Sequence, residues 1–220
     1  MKSKNYKLLL VVAGILFLPS IFYLLLITGK NHFRHLEIYG PKDLDQKGDT
    51  IYHTVPSFSF LNQEGKIVTD KDLKGKIYVA NFFYATCPSI CPKMNDNVKG
   101  IAETNKDDSM VKFLSFTVNP EHDSVAVLAE YAKKRNADPK QWSYLTGNKD
   151  SIYTLAREGF LVPAATGKAA NDFFHSQDLI LVDKERRIRG IYDGLDDNDV
   201  KKVSEEIKVL ELEYKEKTDK

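Results

Sequence analysis

The sequence predicts an α/β protein, a three-layer α/β/α sandwich with an N-terminal hairpin, preceded by one transmembrane helix. Three observations carry this. The chain opens with 21 residues that hold no charge, LLLVVAGILFLPSIFYLLLIT, from Leu8 to Thr28. Two nearly continuous apolar runs, KIYVANFFYA (76–85) and VKFLSFTV (111–118), have the composition of strands buried on both faces of a sheet. Segments of helical period alternate with them, and a strand pair closes the order before a last helix. Such an order implies a parallel centre with an antiparallel edge.

Taken in chain order, residues 1–7 form a short N-terminus on the cytoplasmic side, and 8–28 form the anchor. About 20 apolar residues cross a hydrocarbon core of about 30 Å, and a proline such as Pro19 is accommodated there with a kink. A cleaved signal peptide has a shorter apolar region, about 7–15 residues, ending in small residues; here TGKNHFRHLE follows instead. Lys2, Lys4, Lys7 and the amino terminus precede the span, whereas Lys30 and Arg34 follow it. That bias puts the N-terminus inside and the domain outside, as a single-pass protein of a bacterial inner (plasma) membrane facing the periplasm or extracytoplasmic side. Residues 29–54 read as a polar linker without a clear period. His32 and His35 have the i, i+3 spacing that lets two imidazoles touch one metal on a helix, yet such linker pairs are more often incidental.

The domain proper spans 55–220. FSFLNQEGKIV (58–68) reads as a hairpin about Glu64-Gly65. After the first buried strand a helix is expected through Met94 to Glu103, and after the second, one capped by Asp123 or Ser124. Its Val125, Leu128, Ala129 and Ala132 recur at i, i+3, i+4, i+7. WSYLT (142–146) reads as a short strand, 150–157 as a helix, and DLILVD (178–183) with RIRGIY (187–192) as adjacent strands. The closing helix, from about Asn198, sets Val200, Val203, Ile207, Leu210 and Tyr214 on one face.

Composition narrows the function. Lys and Arg number 32 against 31 Asp and Glu, for a formal charge of +1. Four of those lysines lie within the first 30 residues, so 31–220 carry 28 basic against 31 acidic groups. A faintly acidic domain offers no positive stripe to a phosphate backbone, which argues against a nucleic-acid partner. Two cysteines exclude a disulfide scaffold and any four-cysteine zinc or iron–sulfur site.

Those two cysteines sit where the first buried strand ends, in FFYATCPSICPKMN, as Cys87 and Cys91. Functional groups of open α/β sheets collect at the carboxyl ends of strands, and a cysteine at the next helix N-terminus meets the positive end of its dipole, which favours thiolate. A purely structural disulfide is a weak alternative: closing a five-residue loop yields only about 2 kcal/mol in the chain-entropy model. His175, in NDFFHSQDLILVD, precedes a strand whose loop the topology places beside the cysteines. Two thiolates and an imidazole suit Cu(I), with zinc as the main competitor.

The run VPSFSFLNQEGKIVTDKDLKGKIYVANFFYATCPSICP closely resembles the opening of the SCO/SenC family, thioredoxin-like proteins that help copper reach cytochrome c oxidase. TVNPEHD (117–123), WSYLTG (142–147) and HSQDLILVD resemble further stretches of that family, so the likeness covers about 55–215. It implies a thioredoxin-like fold, copper as Cu(I) or Cu(II), and Cys87, Cys91 and His175 as its ligands, with the His175 loop where thioredoxins present a cis-proline. His122 departs from the family's usual arginine, and DKERRI (183–188) from its usual turn. The resemblance implies a copper chaperone serving the dicopper site of a cytochrome c oxidase subunit, with an upstream copper donor and a thiol reductant as further partners. An exported thiol–disulfide oxidoreductase, using the redox pair Cys87 and Cys91, is the alternative. The Cys-x-x-x-Cys spacing and an imidazole that disulfide exchange does not need favour the metal role.

Overall fold

The computed structural model describes residues 2–28, 35–162 and 176–218, and within the first helix the side chains of Tyr6 and residues 10–24. The chain forms two compact units, Met1–Arg34 and His35–Lys220. In the first, helix α1 (Lys2–Thr28) runs for 27 residues, about 40 Å at the usual rise. It passes through Pro19 without a break, and the Ser20 hydroxyl donates to the Leu16 carbonyl at 2.9 Å. Among the described residues no helix is long and apolar enough to cross a membrane; the described side chains of α1 make a continuous run only from 10 to 24.

The second unit begins earlier than the sequence suggests. Residues 35–54, expected within a linker, are folded onto it. Strands β1 (Lys42–Leu44) and β2 (Thr50–Tyr52) pair antiparallel. Tyr39 bridges Ile188, and the His53 ring donates to the Gly159 carbonyl at 2.8 Å. The buried Arg189 donates to the carbonyls of Leu36 and Glu37, while Glu213 accepts from the Leu36 N–H at 2.7 Å. The corrected boundary has a plain cause: polar backbone, not an apolar period, is what docks this segment, and an internal guanidinium and carboxylate supply its partners.

The main sheet has seven strands, ordered β4-β3-β7-β6-β5-β8-β9. They are β3 (Ser59–Asn62), β4 (Ile67–Thr69), β5 (Ile77–Phe83), β6 (Val111–Thr117), β7 (Trp142–Thr146), β8 (Asp178–Val182) and β9 (Ile188–Asp193). β5, β6 and β7 run parallel, and β3, β4, β8 and β9 add antiparallel edges. Strand alternation divides the core. Ile77, Val79 and Phe83 of β5 face helices α2 (Ile90–Thr104), α3 (Val125–Lys134) and α5 (Asp197–Thr218). Tyr78, Ala80 and Phe82 face α4 (Lys149–Thr154), the π turn Leu155–Gly159 that extends it, and Val55, Phe58 and Leu73. The three layers are as expected, and every anticipated strand is present.

Candidate metal centre

β5 ends at Phe83, and the chain turns at once, with the Cys87 N–H donating to the Tyr84 carbonyl at 3.2 Å. Helix α2 runs from Ile90 to Thr104 and contains the expected stretch through Met94 to Glu103. Pro92 is its third residue, a position where a proline costs nothing because first-turn N–H groups have no acceptor within the helix. Ser89 stands at the N-cap yet makes no side-chain capping bond. The sulfur takes that place: the Cys91 N–H donates to Cys87 Sγ at 3.5 Å. One of the helix's orphan donors is thereby spent on a sulfur.

This arrangement drives the two thiols apart in acidity. Both are free and buried, 6% and 3% exposed. Burial pushes Cys87 up, but donation from the Cys91 N–H and thiol and from Ser89 outweighs it and brings the group down to about 7. Cys91 goes the other way, to about 12, by burial and by the Cys87 sulfur that it hydrogen-bonds. Cys87 is therefore the first of the pair to ionise, while Cys91 keeps its proton.

Tyr84 precedes the pair, its carbonyl accepting from the Cys87 N–H, and burial together with the neighbouring cysteines raises its phenol to about 12. Asp123 anchors the same loop from below. Fully buried, it accepts from the Ala85 N–H at 2.9 Å and from the Thr117 hydroxyl at the end of β6. The His122 ring lies 3.1 Å from its other oxygen. The α3 cap falls to Ser124, whose hydroxyl accepts from the Val127 N–H, so of the two cap candidates Asp123 is released for the loop. Sequence reasoning gave neither Tyr84 nor Asp123 a role at the site. Tyr84 reads as the end of an apolar strand, and Asp123 reads as a cap.

His175 lies outside the described residues, as does His32. The described chain resumes at Ser176, and the surroundings of that point are defined. β8 is antiparallel to β5, with Ala80 opposite Ile180 and Tyr78 opposite Val182, so β8 enters the sheet at the end where β5 leaves it. Gly194 donates to the Gln177 carbonyl at 2.8 Å, and a Cβ there would meet that oxygen at 2.8 Å and Met94 of α2 at 3.0 Å. Asn97 of α2 donates to the Gly194 carbonyl. Residue 177 is thus packed beside the helix that carries Cys91. His35 is exposed, with Nδ1 3.6 Å from Glu213. Among the described residues no group of three or more His, Cys, Asp or Glu side chains is placed to hold a metal ion; the described part of the centre is the thiol pair.

Comparison with known proteins gives this geometry a context. The family model described as SCO1/SenC matches residues 46–210. The SCO1 protein homolog of Bacillus subtilis is 26% identical over 162 residues, covering 73% of this chain and 84% of its own length. Among solved structures, BsSco, described as a member of the Sco family of cytochrome c oxidase assembly proteins and as holding a disulfide switch, superposes with a TM-score of 0.63. Its identity is 26%, over 72% of this chain and 93% of that one. Arabidopsis thaliana ScoI with copper bound gives a TM-score of 0.57 at 28% identity, over 70% of this chain and 95% of that one. The fold is thioredoxin-like.

Proposed function

The chain belongs to the SCO1/SenC family, and from that premise we propose that it is a membrane-anchored copper chaperone delivering copper to the dicopper site of a cytochrome c oxidase subunit during assembly. The copper-bound Arabidopsis relative and the oxidase-assembly relative support the cargo and the client. The single observation that carries the reading is the buried thiol pair at the α2 N-terminus, Cys87 accepting from the Cys91 N–H and being the more acidic of the two. Two adjacent thiolates are the donor set that a soft Cu(I) ion favours, and the residues present fit it.

Cys87, Cys91 and His175 are the ligands in this proposal. The entry of β8 beside the end of β5, and the packing of Gln177 against Gly194 and α2, support an imidazole arriving from residue 175. The apolar helix α1 and its preceding lysines support a single-pass anchor, with residues 1–7 inside and the folded unit outside; a chain that leaves the membrane on a salt wash would refute the anchor. A copper donor and a thiol reductant complete the cycle, because a disulfide has no thiolate left to offer.

The divided acidity of the cysteines also favours a second reading, an exported thiol–disulfide oxidoreductase with Cys87 as nucleophile and Cys91 as resolving thiol. Anaerobic Cu(I) titration of the reduced 31–220 segment, which contains the whole His35–Lys220 unit, separates the two. One copper per chain is expected, falling to none in the disulfide form and in the Cys87→Ser/Cys91→Ser double mutant. His175→Ala should abolish oxidase assembly in cells while leaving disulfide exchange intact. Full assembly with His175→Ala, or copper stoichiometry unchanged without the cysteines, would sink the chaperone reading.

A further inference from the structure

We propose that the cavity at the amino ends of β5 and β6 binds a small zwitterion with an apolar body, an α-amino acid such as leucine. Its ammonium meets Asp108 and Glu211, and its carboxylate meets Lys184 and Lys215. The site lies at the end of these strands opposite the cysteines and does not rest on the chaperone reading.

The cavity has a volume of about 510 Å³, inside the range of about 300–1,000 Å³ usual for small-molecule sites. Its apolar lining is Ile77, the first residue of β5, together with Met110 and Tyr214. Folded elements fix the charged groups around that lining. The Met110 N–H donates to the Asp108 carboxylate at 2.7 Å. The Tyr214 phenol donates to Glu185 and accepts from the Lys184 N–H at 3.2 Å. The Lys184 ammonium stands 4.5 Å from the centroid of the same ring. Glu211 and Lys215 lie one turn apart on α5, a spacing that puts both on one helix face. Lys76, also nearby, is committed to the Ser109 carbonyl at 3.1 Å and the Met110 sulfur at 3.5 Å. Two acids and two bases are left to line the cavity.

Charge of one sign alone does not fit this lining. A simple anion meets Asp108 and Glu211, a simple cation meets the two lysines, and like charges set side by side are costly. A molecule carrying both signs on neighbouring atoms satisfies both pairs, and its apolar body takes the rest of the lining. The state of the acids points the same way. Burial and the Asp108 carboxylate push Glu211 up to about 7, against the pull of Lys215 and Lys184. Asp107 and Lys208, one of each sign, face the pair from the adjoining cavity. A shifted acid lining a cavity is a usual mark of a binding site. An arriving ammonium takes the place of the proton that Glu211 otherwise holds. Binding below about pH 7 therefore releases a proton to solvent, and affinity rises with pH until Glu211 is ionised without the ligand.

The test uses full-length, metal-free chain in lipid nanodiscs, dialysed to equilibrium against isotopically labelled L-leucine, with empty nanodiscs as the blank. Saturable binding of one leucine per chain is expected. Two competitors keep the leucine skeleton: isocaproate lacks the amine, and isoamylamine lacks the carboxylate. Each should compete about tenfold less well, the worth of one lost hydrogen bond to a charged group. Affinity for leucine should rise about tenfold or more from about pH 5.5 to about pH 8. Glu211→Gln should flatten that profile. Lys184→Met should weaken leucine about tenfold without weakening isoamylamine. The comparison of leucine with its two analogues uses the wild-type chain alone, so it decides the matter even where a variant does not fold. No saturable leucine binding, analogues that compete as well as leucine, or a wild-type affinity indifferent to pH would each overturn the proposal. Copper takes no part in these measurements, so their failure and that of the chaperone reading are separate results.

Discussion

Strands β5 and β6 end in pairs of like acids at both extremities, and the two pairs behave differently. At the carboxyl ends sit Cys87 and Cys91, one brought down to about 7 and the other pushed up to about 12. At the amino ends Asp108, just before β6, meets Glu211 of α5. The hydrogen bond from Glu211 holds Asp108 below its ordinary range, whereas burial and the Asp108 carboxylate push Glu211 up to about 7. Both pairs share a proton because two acids are crowded together. Only one pair also has helix N–H groups aimed at it. Glu211 lies in the C-terminal half of α5, the unfavourable end of that dipole for an anion, and Lys184 and Lys215 offset its charge. A split in acidity therefore marks crowding. Soft donors at a helix N-terminus mark a place for a soft metal.

A third polar cluster sets the scale for both. Arg189, 4% exposed, donates to Asp183 at 3.1 Å and to Glu213 at 2.7 Å, and both carboxylates are buried. Here the charges are opposite. Removing one partner of a buried ion pair costs about 3–5 kcal/mol because the remaining charge is uncompensated. Arg189→Met should lower the unfolding free energy by that amount in urea titrations, since it also frees the carbonyls of Leu36 and Glu37. Copper affinity of the folded fraction should be unchanged. A loss of copper binding without a loss of stability would show that the clamp and the thiol pair are one system, and the comparison would fail.

The next effect is smaller and falls at the site itself. Asp123→Ala leaves the Ala85 N–H and the Thr117 hydroxyl without their acceptor, a cost of about 1–3 kcal/mol for unsatisfied buried groups. It should also weaken Cu(I) binding severalfold in competition with a chelator, because Ala85 lies two residues before Cys87. Equal destabilisation with unaltered copper affinity would reduce Asp123 to a fold residue and sharpen the site to the loop alone.

The contrast between these regions also explains what the sequence could disclose. The strands were legible because burial on both faces writes a continuous apolar run, as in 76–85 and 111–118, and WSYLT falls on β7 residue for residue. The cysteines were legible because their position at a strand end has chemical meaning. The docking of residues 35–54 was not, since its bonds join partners such as Leu36 and Glu213, 177 residues apart, and polar bonds leave no period. The start of α2 stays open in the sequence, because Pro88 and Pro92 restrict the backbone and a proline fits only a helix's first turn; Pro92 stands in that turn. Asp123 and Ser124 both satisfy the capping rule, and only the geometry of β6 and the cysteine loop assigns them different tasks.

The smallest effect tests the amino-end pair, and its sign follows from linkage. Glu211 is raised above its ordinary 4.5 in the folded chain, so its contribution to stability is fully present below about 4.5 and is lost as pH rises through about 7. Asp108 is lowered, so its contribution runs the opposite way and is lost only in acid. Glu211→Gln keeps a neutral hydrogen-bonding partner for Asp108 at every pH. At about pH 4, where Glu211 carries its proton in the folded and the unfolded chain alike, the variant should match wild type. At pH 8.5, where wild type places two carboxylates together, it should be more stable, by less than about 1 kcal/mol because the group is half-exposed and screened. Urea midpoints at the two pH values measure the difference, and the same increment at both would mean that no proton is shared. The rate of Cys87 alkylation should be the same in the variant as in wild type, because the strands join the two ends mechanically while their length and the intervening core keep the charges apart. If that rate changes with Glu211, the two pairs are electrostatically coupled, and the acidity of Cys87 can no longer be assigned to its own helix and loop.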